Sequence, residues 1–172
     1  MTRTAARTGT LASFVLAVGL LATPVSAQSG AVTQAPAAAS ASCATSRPHS
    51  GTILYAGISG GQGRLTIENG LSQDGVVALV LGRSRAISVY VRDKAKTTVD
   101  NVKDGTYTIY FTTGSGFSVC QGRFTRDAAY FRFDNRVHFV APPYYTIATL
   151  TLQAVNGGNA PTTQINPSDF PA

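Results

Sequence analysis

The sequence predicts an all-β protein, a single antiparallel β-sandwich domain with a flexible N-terminal leader and an irregular C-terminal tail. Between residues 49 and 155 the apolar side chains alternate with the period of a half-buried strand, not that of a helix. Turn signals interrupt the alternation at close intervals: Asn69-Gly70, Asp74-Gly75, Gly82-Arg83-Ser84, Asp104-Gly105, Gly114-Ser115-Gly116, Asp134-Asn135 and Pro142-Pro143. No stretch of this region has convincing amphipathic helical spacing, so many short strands are expected to pack sheet on sheet.

In chain order, TILYAG supplies a first strand and RLTIEN a second, in which Leu65 and Ile67 share a face. VVALVL, residues 76–81, is apolar throughout and is expected to be buried on both sides. In RAISVYVR, Ile87, Val89 and Val91 point one way while Ser88, Tyr90 and Arg92 take the other, polar face. GTYTIYF repeats the alternation with Tyr107, Ile109 and Phe111. One helical turn is expected around Thr125 to Ala129, before the strand containing Phe131 and Phe133. RVHFV places Val137 and Phe139 together, and TIATLTLQ shifts its apolar parity between Ile147 and Leu150, which predicts a bulge.

The ends of the chain set the compartment. Arg3 and Arg7 precede the apolar run Leu11 to Ala22, and Val25-Ser26-Ala27 offers small residues for cleavage, so residues 1–27 read as a secretory signal peptide. The run is short for a bilayer span and no second one follows, so no membrane span is expected in the mature chain. Residues 28–48, small and polar, read as a flexible linker, and residues 156–172 as an irregular tail whose Ile165 and Phe170 are able to dock on the domain. A secreted, extracellular chain with two cysteines favours a disulfide between Cys43 and Cys120. Loss of Arg3 and Arg7 with the signal lowers the formal charge from +6 to +4. That basic balance suits an anionic cell-wall polymer, a glycan or an extracellular protein as partner, and secretion argues against nucleic acid.

Candidate chemistry is sparse. Gly57, Ser59 and Gly61 have GxSxG spacing, and His138 follows in the order of a hydrolase triad, so Ser59 and His138 are the candidate nucleophile and base. A strand, not the helix of a nucleophile elbow, follows Gly61, which favours a glycine-rich turn. No CxxC or histidine spacing and no DxDxDG run is present, so neither a metal nor another cofactor is expected. Asp74, Asp93, Asp100 and Asp104 are read as turn residues. Basic and aromatic residues interleave from Arg123 to Phe139, and a ligand surface is sought at Arg126, Tyr130, Arg132 and Arg136, with Tyr144 and Tyr145 beyond the two prolines.

LTIENGLSQDGVVALV, SVYVR, VKDGTYTIYFTTG, RFTR, RFDN, YTIATLTLQAVNGGNA and NPSDFP together resemble a group of secreted actinobacterial β-rich proteins with no assigned biochemical function, over roughly Gly63 to Pro171. Members of that group often carry acidic and tryptophan residues after TTG, where this chain has Gly114-Ser115-Gly116-Phe117 and no tryptophan. The DGTY turn is also similar to carboxypeptidase-regulatory-like extracellular β-sandwich modules, a likeness that implies an accessory role. The expectation is therefore a secreted, non-catalytic module associated with the cell envelope. The alternatives are a small serine hydrolase using Ser59 and His138, or an enzyme inhibitor presenting TTGSGFSVC.

Overall fold

A computed structural model describes residues 43–140, 143–153 and 160–171. The expected signal peptide, the linker up to residue 42, Pro142 and residues 156–159 of the tail lie outside the described residues. Eleven strands are described: β1 Thr45–Ser46, β2 Ile53–Ala56, β3 Gly63–Glu68, β4 Asp74–Leu81, β5 Ser84–Val91, β6 Lys96–Val102, β7 Gly105–Ser118, β8 Arg123–Phe133, β9 Val137–Phe139, β10 Ile147–Thr151 and β11 Thr162–Gln164. A 3-10 turn at Pro167–Asp169 is the sole helical element among the described residues.

The strands form the expected β-sandwich. The large sheet runs β11-β8-β7-β4-β5-β2, with β1 and β9 also bonded to β7, and the small sheet runs β10-β3-β6. Every pairing is antiparallel except β10 with β3, which lie parallel and in step from Ile147↔Arg64 to Thr151↔Glu68. The expected bulge in β10 is absent from that register. Leu150 and Leu152 are buried on the inner side, whereas Ile147 is 66 % exposed, so the parity shift marks an apolar side chain on the outer face.

The main core lies between the sheets. Leu65, Ile67, Val99 and Leu150 from the small sheet meet Val77, Leu79, Val89 and Ile109 from the large one. Phe139 closes one end edge-on to Tyr107, with ring centres 5.6 Å apart. A second core covers the opposite face of the large sheet, which is why VVALVL lacks a polar face: Val76, Ala78 and Tyr90 pack there with Phe117, Phe124, Tyr130 and Phe170. Tyr90 is therefore buried, against the polar face expected for it, because the far ends of β7 and β8 and the tail cover that side.

Three segments expected to be irregular are built into this second layer. Gly114-Ser115-Gly116 does not turn; β7 continues to Ser118, and the reversal comes at Val119 to Gly122. A Cβ at Gly114 would stand 2.7 Å from the Phe124 Cβ, so glycine is what lets β8 approach. The expected helical turn at Thr125 to Ala129 is strand, with one extra residue between Arg126 and Ala129 and Asp127 at φ 52°, a bulge that explains the broken alternation. The tail adds β11 antiparallel to β8 at Thr162↔Phe133, and Phe170 packs on Tyr130 with ring centres 5.5 Å apart. At the other end of the chain, residues 45–48 of the expected linker border the large sheet. β1 pairs with β7 at Ser46↔Phe117, and the Cys43–Cys120 disulfide, with Cα atoms 6.0 Å apart, fastens it to the β7–β8 reversal.

The second core predicts opposite effects for two substitutions. Phe170→Ala should destabilise by about 3 kcal/mol, the loss of a buried ring. Thr112→Val should stabilise by about 1 kcal/mol, because the Thr112 Oγ1 is buried with no hydrogen-bond partner among the described residues. Urea unfolding of both variants beside the parent checks the pair, and a stabilising Phe170→Ala would show that the tail contributes nothing to the core.

Candidate functional site

Among the described residues, a cleft forms where strand pairing on β7 is interrupted. Along one edge of β7, β4 ends at Asp74↔Gly114 and β1 begins at Ser46↔Phe117, so Ser115 and Gly116 have no partner strand on that edge. A cleft of about 400 Å³ opens there. Its walls are Thr45, Ser46 and Arg47 from β1 and beyond, Ser72, Gln73 and Asp74 leading into β4, Asp93 after β5, Gly114 to Gly116 of β7, and Arg126 of β8.

The loops on one side of the cleft are held by hydrogen bonds, several of them between residues far apart in sequence. The buried Asn69 side chain donates to Gln73 O at 2.8 Å and Arg92 O at 3.0 Å and accepts from Leu71 N, which fixes the loop entering β4. Arg92 in turn donates to Pro48 O at 2.8 Å and Arg47 O at 3.0 Å, pinning the chain that carries Arg47. Arg47 forms a two-point pair with Asp74, both contacts 2.8 Å, and also bonds the Asp93 carboxylate.

Asp74 is the hub. It accepts from Arg47, from the Tyr90 hydroxyl at 2.6 Å and from the Asp93 amide at 2.9 Å, and its side chain is only 11 % exposed. Burial pushes its pKa up, but the hydrogen bonds from Arg47, Tyr90 and Asp93, with the Arg47 charge, outweigh it and hold the carboxyl at about 2. Burial, reinforced by the bond and charge of Asp74, pushes the Tyr90 hydroxyl far above the usual phenol range.

Opposite this network stands Arg126. Its guanidinium lines the cleft and bonds no described residue, and the same holds for the side chains of Ser46, Ser72, Gln73 and Ser115. Ser115 and Arg126 face each other directly in the β7–β8 register, and the bulge at Asp127 sits beside them.

The other residues singled out from sequence do not converge on this place. Tyr130 is buried in the second core under Phe170, which removes it from a ligand surface. Arg132 lies six residues along β8 from Arg126, about 20 Å at strand rise, and stands 3.8 Å from Asp134. Arg136 is exposed before β9. Tyr144 and Tyr145 are exposed beside Ile147, next to the small sheet. His138 of β9 is engaged through Nδ1 with the Thr106 hydroxyl at 2.8 Å, and no hydrogen bond joins it to Ser59 among the described residues. The glycine at the end of GxSxG has a structural reason, since a Cβ at Gly61 would lie 2.0 Å from Val102 O. Among the described residues no three side chains of the metal-binding types come together.

Of the cleft residues, Arg126 was marked by the sequence as a ligand candidate, and Gly114 to Gly116 entered as candidates only as part of the inhibitor loop TTGSGFSVC. Asp74 and Asp93 read as turn residues, and the bonds to Arg47 that draw them together span 27 and 46 positions. No protein-family model, curated protein or solved structure matches the chain.

The depressed Asp74 pKa has a definite sign. Folding favours the ionised form, so this stabilisation is complete above the ordinary value of 3.8 and disappears as pH falls through about 2. Asp74→Asn should therefore cost about 2 kcal/mol at pH 7, and the difference from the parent should close between pH 4 and pH 2. Urea unfolding across that range checks it; a difference independent of pH would mean that the carboxylate charge is not what matters.

Proposed function

We propose that the chain is a secreted, non-catalytic β-sandwich module that binds anionic cell-envelope material through the cleft around Arg126. The observation that carries this reading is the Arg126 guanidinium, which has no partner among the described residues and is set among hydroxyl and amide side chains that likewise bond none of them. A cation left without a counter-charge among such donors attracts an anion, and fixed walls lower the ordering cost of binding it.

The titrating groups beside it support binding over chemistry. Asp74 is held at about 2 and Tyr90 is driven upward, so both move away from the range in which a group exchanges protons near neutrality. The formal charge of +4 left after loss of Arg3 and Arg7 from the +6 of the full chain suits attraction to an anionic surface.

The purified protein should be retained on an envelope fraction of the producing cell and released as salt screens the contact. Arg126→Gln should weaken retention at least tenfold, while Arg136→Gln leaves it unchanged. Equal retention of Arg126→Gln and the parent would sink the proposal.

A further inference from the structure

We infer that the group seated in this cleft is a carboxylated sugar unit, a hydroxyl-rich monoanion, in preference to a phosphate-rich polymer. The inference rests on the binding reading and concerns which chemistry satisfies the same cleft.

Charge decides first. Arg47 and Arg126 are balanced by Asp74 and Asp93, so the cleft has no net formal charge with which to concentrate a polyanion. The charges are nevertheless unevenly disposed. Arg47 is consumed by both carboxylates, and Arg126 lines the cleft with no counter-charge among the described residues. One negative charge is therefore matched, and a second one nearby would meet Asp93.

Hydrogen bonding decides next. Asp93 is 42 % exposed and only one of its side-chain oxygens is used, by Arg47, so the other is an acceptor with no donor among the described residues. A carboxylate in that position rewards a ligand hydroxyl and repels a phosphate oxygen. Ser46, Ser72 and Ser115 are able both to donate and to accept, as a sugar's hydroxyls do. The ligand that answers all of these has a carboxylate at one end for the Arg126 fork and hydroxyl donors toward Asp93.

Shape agrees with both. The volume is near the lower end of ligand sites, roughly 300 to 1,000 Å³, which suits one unit of a chain. Asp93 is itself steadied by Arg47, and Arg47 by Asp74, so the acceptor is in place before the ligand arrives.

Titration of the isotopically labelled protein, followed by amide NMR, tests this with three probes: a glucuronate-containing disaccharide, its neutral glucose counterpart and a glycerol-phosphate oligomer. The uronate should shift amides at Ser72 to Asp74, Asp93, Gly114 to Gly116 and Arg126, and bind at least tenfold more tightly than either other probe. Arg126→Gln should abolish these shifts. Asp93→Asn should weaken the uronate severalfold and strengthen the phosphate oligomer, an inversion that a merely structural role for Asp93 would not produce; unchanged spectra elsewhere confirm that both variants are folded. A phosphate oligomer binding at Arg126 as tightly as the uronate would overturn the sugar assignment and leave the anion-binding reading standing. Absence of uronate shifts in the cleft, or equal binding of all probes by Asp93→Asn and the parent, also overturns it. Loss of the binding reading itself has a separate signature, envelope retention that survives Arg126→Gln.

Discussion

Everything in this fold is arranged around the length of β7. At 14 residues it is far longer than the common strand of roughly five or six, and four other strands bond to it: β4 and then β1 along one edge, β9 and then β8 along the other. Its first half belongs to the sandwich, with Tyr107, Ile109 and Phe111 packed toward the small sheet. Its second half runs past the end of β4 and, with β8, brings Phe117 and Phe124 against Tyr90, whose ring centre lies 5.3 Å from that of Phe117. One strand thus builds two cores, and the β4–β5 pair between them is buried on both faces, Ser88 and Tyr90 included. The cleft follows from the same constraint, since it occupies the interval where one neighbour has stopped and the next has not begun.

Within that interval, burial and hydrogen bonding pull in opposite directions on Asp74. Removing a carboxylate from water is costly, and a single exposed ion pair would not repay it. Arg64–Asp100 and Lys96–Glu68 are such exposed pairs, each partner more than 40 % exposed, and they add little. Asp74 differs because three separate donors converge on it, two of them from the side chains of Arg47 and Tyr90. Tyr90 reaches it from the second core, so the packing of that core and the ionisation of the cleft are one arrangement. A charge placed this way ties the wall that carries Asp93 to the second core.

Alternation made the sandwich legible. Leu65 with Ile67, Val77 with Leu79 and Ile109 with Phe111 occupy the inner faces that period two assigns to them, and the two-sided apolar run of β4 announced a second buried face. What covers that face was not legible. Tyr90 looks like an outward residue unless one knows that β7 overruns β4, and Gly114-Ser115-Gly116 looks like a turn because glycine marks close strand approach and chain reversal with the same symbol. Arg126 was visible as a basic residue among aromatics, but its solitude was not, because being unpaired is a property of all the neighbours at once. Arg47 sat in a stretch read as linker, and nothing local to Ser46-Arg47-Pro48 points toward an aspartate 27 positions away.

Both ends of the described chain finish what the sandwich begins. The Cys43–Cys120 bridge closes a separation of 77 residues, which in the loop-entropy account restrains the unfolded chain by about 4.5 kcal/mol. Its placement has a more local effect: it holds β1 against β7, and β1 delivers Ser46 and Arg47 to the cleft. The tail acts on the far wall, because β11 and Phe170 pin β8 at Phe131, Phe133 and Tyr130, a few residues from Arg126. Short segments of this kind would be expected to fray if left alone. Here one is covalently stapled and the other is seated in a core, so the segments 43–48 and 162–170 brace the sides of a small polar cleft. A site made in this way draws its rigidity from tertiary closure, which is the condition under which a lone guanidinium can discriminate among anions by geometry instead of by charge alone.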